Sequence, residues 1–138
     1  MTRYAIDAPT AIRLVREGLA VSGEHRLVAP NVLRSQALSL LYREVRRGDL
    51  TRAQARMLLD GITTMKIRLL GDRVSRSVAW QLAEQLGWDD TVTAEYVAVA
   101  RLQADALVTE DPELARQVEG VVPVAPFEAL LQPAPHRP

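Results

Sequence analysis

The sequence predicts one α/β domain: a central parallel sheet of about four to five short strands, flanked by helices on both faces. Three observations carry this. Short apolar runs alternate with longer stretches of helical periodicity along the whole chain. Two of the apolar runs, Arg3-Tyr4-Ala5-Ile6 and Ala106-Leu107-Val108-Thr109, stop at acidic residues and lead straight into a proline-containing helix start. The connections are short, and nothing in the 138 residues marks a domain boundary or an internal repeat.

The elements follow in order. After Asp7, Pro9 to Gly18 places Ile12, Leu14 and Val15 at helical spacing, and Gly18 stops the helix. Leu19 to Glu24 is a loop, and His25 to Pro30 is a strand ended by proline. Asn31 is the expected cap of a long helix reaching Arg47, with an apolar face made by Leu33, Ala37, Leu38, Leu41 and Val45. Thr51 is expected to cap a third helix that breaks over Gly61 to Met65. Lys66 to Leu70 reads as a strand, and Arg73 to Gly87 as a helix carrying Val74, Val78, Leu82 and Leu86. Asp90 or Thr91 caps the next helix, to Gln103. The strand at Ala106 follows, then a helix from Pro112 to about Glu119, a last strand Val121 to Val124, and one more turn at Phe127 to Leu131. The domain spans 1–131, and 132–138 (QPAPHRP) is expected to be a disordered tail.

Composition narrows the chemistry. With no cysteine, there is no disulfide, thiolate metal site or cysteine nucleophile. No apolar run approaches the length of a membrane span, and no leader-like segment is visible, so a soluble cytoplasmic protein is expected. Seventeen basic and seventeen acidic side chains cancel, which is not the strongly basic balance of a typical nucleic-acid binder. There is no phosphate loop, dinucleotide glycine fingerprint or nucleophile elbow, and His25 and His136 form no ligand cluster.

Asp7 and Asp111 are the candidates for chemistry. Each ends a strand, and ligands of open α/β sheets bind outside the carboxyl ends of the strands. If the two strands are parallel neighbours, both carboxylates sit on one rim and share a divalent cation. The competing reading is that each simply caps the helix it precedes. Asp89 and Asp90 open a helix whose dipole favours acids there, and Glu95, deeper in it, reads as solvated.

The order of elements resembles the PIN domain, and within it the VapC-type toxins of bacterial toxin–antitoxin pairs. The likeness runs from about Arg3 to Leu131 through YAIDAP, LVAPNVLRSQALSLLYREVRRGDLT and TAEYVAVARLQADALVTEDPELA. It implies a PIN-like fold and a Mg²⁺- or Mn²⁺-dependent endoribonuclease. Several rim carboxylates hold the metal there, and the metal activates a water against an RNA phosphodiester. It also implies a homodimer and an antitoxin partner. Asp7 falls on the family's first acid, and Asp111 on the late acid of the Leu107-Val108-Thr109-Glu110-Asp111 motif, with Thr109 as its threonine. The other two acidic positions are neutral, Gln36 and Thr93. Gln36 still offers a carbonyl oxygen and Thr93 a hydroxyl, but neither brings charge. Asp90, one turn before Thr93, is the nearest substitute ligand, with Glu95 and Glu110 behind it. Arg43, Arg46 and Arg73 are the arginines expected to meet an RNA backbone. The alternative is a catalytically inactive PIN scaffold that binds RNA or a protein partner.

Overall fold

In the computed structural model, residues 1–133 are described, so positions 134–138 of the expected tail, His136 among them, lie outside the described residues. The first strand, β1 (Thr2–Ile6), is the organising element. It pairs in parallel with β2 (His25–Pro30) on one side and with β4 (Ala106–Val108) on the other, while β3 (Ile67–Leu70) adds beyond β2. The sheet order is β3-β2-β1-β4. The chain leaves β1 toward β2 and reaches β4 only much later, on the opposite flank. The strand order therefore reverses at the carboxyl end of β1, which is the switch point where such sheets open a crevice.

Side-chain alternation along the strands splits the core in two. Ile6, Leu27, Ala29 and Val108 point to one face and pack with α1 (Ala8–Arg16), α2 (Leu33–Arg46) and α3 (Arg52–Thr64). Ala5, Val28 and Leu107 point to the other face, under α4 (Arg73–Leu86) and α5 (Val92–Gln103). The alanines of α5, Ala94, Ala98 and Ala100, are fully or almost fully buried and let that helix lie close against β1 and β2. A short α6 (Pro112–Gln117) and a single 3₁₀ turn at Phe127–Leu130 complete the chain. Buried His25 donates from Nε2 to the carbonyl of Gln132 and stacks edge-on against Tyr4 at 5.0 Å, tying the C-terminal segment to the start of β2. No helix among the described residues is long and apolar enough to cross a membrane.

Three sequence expectations need correction. Asn31 does not cap α2. The cap position is Val32, with no side-chain bond, because Asn31 still follows the sheet: its N–H donates to Leu70 O at 3.1 Å. Gly61 does not break α3, which runs through it to Thr64. Glycine is needed there because a Cβ would sit 2.5 Å from Val15 Cγ1, so it marks where α3 crosses α1 rather than where it ends. The expected strand Val121–Val124 is only a parallel bridge between Val124 and Leu107, since Pro123 has no N–H to extend a ladder. The cap at Thr51 holds and gains a reciprocal bond from Gln54, and Gly87 ends α4 in the left-handed conformation.

Candidate functional site

The register between β1 and β4 builds the site. Ile6 pairs with Val108, so the next residue on each strand, Asp7 and Thr109, emerges side by side at the switch point. Asp7 is 7% exposed. Its Oδ1 accepts from Thr10 N at 2.9 Å and from the Thr10 hydroxyl, which makes it the cap of α1. Its Oδ2 accepts from the Thr109 hydroxyl. That hydroxyl oxygen in turn accepts from Asp111 N at 3.1 Å. The two aspartates are thus linked through one threonine, main chain to hydroxyl to carboxylate.

Asp111 stands on the same rim, exposed, as the cap of α6: its Oδ1 accepts from Glu113 N at 3.0 Å. The capping role is therefore real for both aspartates. An ionised carboxylate offers about four acceptor positions. Three of those on Asp7 are used, leaving room for one more partner on Oδ2, while Asp111 has most of its capacity free.

Gln36 and Thr93 enter from α2 and α5. Gln36, in the first turn of α2, is half-buried, and its side-chain carbonyl accepts from the Tyr96 hydroxyl. Tyr96 is 3% exposed, and its phenol is pushed well above the ordinary tyrosine range, first by burial and then by the charges of Asp7 and Glu95. It therefore stays protonated and acts as a donor. Glu95 is half-buried rather than a fully solvated helix residue. Burial also raises its own carboxyl above the usual glutamate range. Thr93 lies half-buried in the first turn of α5.

The remaining candidates lie apart from this cluster. Asp90 is exposed and accepts from Val92 N at 3.1 Å in a local turn before α5, whose cap position is Thr91, without a side-chain bond. Glu110 pairs with Arg13, 3.1 Å away, and Arg13 lies over the Phe127 ring. Arg43 and Arg46 sit seven and ten residues beyond Gln36 on α2, about 10 to 15 Å further along its axis. Arg73 opens α4 past the far edge strand β3. Two residues went unnoticed in the sequence: Thr10, fully buried, and Tyr96 as a hydrogen-bond donor. The spacing Asp7-x-x-Thr10 is a capping pattern and was legible; the Tyr96–Gln36 contact, across 60 positions, was not.

Against a hard divalent cation, this donor set fits in one sense only. Among the described residues no three acidic or imidazole side chains group closely enough to hold a metal. Mg²⁺ is nevertheless commonly held by one or two carboxylates, with waters and substrate phosphates completing six oxygens. The oxygens left for such a loosely held ion are one free position on Asp7 and the open carboxylate of Asp111, which is not a multi-carboxylate cage.

No family profile matches the sequence, and no curated protein sequence does. Among solved structures the chain is similar to the crystal structure of PAE2754 from Pyrobaculum aerophilum, with a TM-score of 0.72 and 23% identity over 94% of each chain. At that identity the likeness shows the shared α/β fold alone.

Proposed function

We propose that this chain is a VapC-like PIN-domain protein that acts on RNA at the β1–β4 switch point, hydrolysing phosphodiester bonds with Mg²⁺ or Mn²⁺, and that its activity is weakened by Gln36 and Thr93. The observation that carries the reading is the hydrogen bond from Thr109 to buried Asp7. It joins the first acid of the resemblance to its Leu-Val-Thr-Glu-Asp motif across adjacent strands. When bound between Asp7 and Asp111, the ion would supply water activation and neutralisation of phosphate charge. Thr10 and Thr109 hold the Asp7 carboxylate in a single orientation. Tyr96, kept protonated, fixes Gln36 and closes the inner wall of the rim. A soluble cytoplasmic homodimer, neutralised by an antitoxin that covers the rim, belongs to the same reading.

A second reading has its own support. The Gln36 carbonyl is already satisfied by Tyr96, and both aspartates are engaged as helix caps, which suits a PIN scaffold that binds RNA or a protein partner without cutting. Restoring the acids separates the two. Gln36→Glu keeps an oxygen that can accept from Tyr96, and Thr93→Asp returns charge to the half-buried first turn of α5. Under the first reading the native chain cleaves RNA with Mn²⁺, Asp7→Asn abolishes cleavage, and the double restoration raises it. Under the second, only the restored variant binds Mn²⁺ in calorimetric titration and cuts. If neither native nor restored protein binds Mn²⁺ or cleaves RNA, the nuclease origin of this rim is wrong.

A further inference from the structure

A second feature lies at the opposite end of the sheet, near the amino ends of the strands. A concavity of about 450 Å³ is lined by Arg3, Arg26, Lys66 and Arg68, over Val28 and Leu70. Register explains how four cations meet there. Arg3 pairs with Arg26 across β1 and β2, and Lys66 stands one position before the paired Leu27 and Ile67. Arg68 follows two residues on, paired with Val28. Arg3, Arg26 and Arg68 are on strand positions that share a face with Ala5 and Val28, and Lys66 directly precedes β3, beside the C-terminal end of α5, where Gln103 closes the wall. The helix covers the apolar half of this face and leaves the cationic half open.

Like charges on neighbouring strands, roughly 4.8 Å apart, oppose pairing. Four of the other arginines are neutralised: Arg13 with Glu17 and Glu110, Arg16 with Glu44, Arg47 with Asp49, and Arg116 with Glu113. Among the described residues, Arg3, Arg26, Lys66 and Arg68 have no ion pair or side-chain hydrogen bond. The acid in the same row, Asp105, directs its carboxylate to the main-chain N–H of Arg3 at 2.8 Å and not to a guanidinium. In a protein of zero formal net charge, the lining of the concavity carries these four cations and no acid.

We propose that this concavity binds a ligand presenting two or more phosphate groups. Three guanidinium groups offer planar forks that match phosphate oxygens two at a time, and Lys66 adds a point charge at the margin. Val28 and Leu70 floor the site without adding an anion that would compete. The ligand's phosphates would sit across the strand row, supplying the anions that the lining lacks. This site does not depend on the reading of the rim: it uses no residue of that cluster.

The test uses the full chain with tripolyphosphate and with a short oligouridylate, each titrated by calorimetry at about 50 to 200 mM salt. Binding of either ligand is expected, with a logarithmic salt slope near −2.8 for the oligonucleotide if all four cations engage, at roughly −0.7 each. Arg26→Ala with Arg68→Ala should weaken binding about tenfold or more and cut that slope by about 1.4. Lys66→Gln alone should cut it by about 0.7, which keeps the test open if the double variant folds poorly. Arg52→Ala with Arg56→Ala, the same charge removed from α3, should leave binding unchanged. If both ligands bind and compete, the phosphates come from a polynucleotide; if only tripolyphosphate binds, from a small oligophosphate. No binding of either, or equal loss in the α3 control, overturns the proposal.

Discussion

Replacing Asp7 by Asn tests whether this carboxylate sits in a favourable or a repulsive field, because the two cases give opposite signs. Where several acids converge on a metal, removing one charge relieves repulsion and stabilises the metal-free protein. Here Asp7 is surrounded by donors: Thr10 N, the Thr10 hydroxyl and the Thr109 hydroxyl. Asn caps a helix as well as Asp does, so the bond to Thr10 N survives. What is lost is the charge on the acceptor, worth about 1 kcal/mol over a neutral one, and a few tenths of a kcal/mol of interaction with the α1 dipole. The amide NH₂ also faces Thr109 as a donor, so the threonine proton loses its acceptor. Together these sum to about 2 kcal/mol of destabilisation, a downward shift of about 1 M in the urea midpoint at unchanged slope. Thr109→Val should be non-additive with Asp7→Asn by about 1 kcal/mol, since both remove the same bond. An Asp7→Asn protein as stable as the parent, or more so, would refute the reasoning and restore a cluster of repelling acids.

Three further outcomes follow. Tyr96→Phe leaves the Gln36 carbonyl without its donor and should cost about 1 kcal/mol in urea unfolding, with the loss vanishing in a Tyr96→Phe, Gln36→Leu background. Gly61→Ala should destabilise by about 1 to 2 kcal/mol through contact with Val15 despite alanine's better helix propensity; combined with Val15→Ala the sign should reverse. Burial raises the Glu95 carboxyl, so its ionised form is disfavoured in the folded state. Glu95→Gln should therefore stabilise slightly near pH 7. That gain should fade as pH falls below the ordinary glutamate range, where the parent's Glu95 is protonated in both states. Urea midpoints at the two pH values decide it.

Much of the fold was legible because its signals are local. Thr51 with Gln54 and Asp72 before Arg73 state their helix starts within four residues, and the continuous apolar run Ala106 to Val108 states a buried strand. The misread positions are those where a local signal was overruled from a distance. Gly61 looks like a breaker until Val15 arrives from α1, and Asn31 looks like a cap until Leu70 on β3 takes its N–H. At the rim the same division holds. That Asp7 and Asp111 each precede a helix is written in the residues that follow them.

By itself, the chain order determined a parallel α/β domain and two aspartates, Asp7 and Asp111, each set between a strand and a helix. Only the tertiary structure decided who meets whom. The pairing of Ile6 with Val108 sets Thr109 on Asp7, and Tyr96 of α5, which joins the core on the α1–α3 side of the sheet, meets Gln36 there. The pairing of Arg3 with Arg26 gathers unpaired cations at the other end of the sheet. The physical reason is that capping and alternation depend on neighbours a few residues away. Strand register and helix placement are set by burying a common core, which brings together residues separated by twenty to a hundred positions.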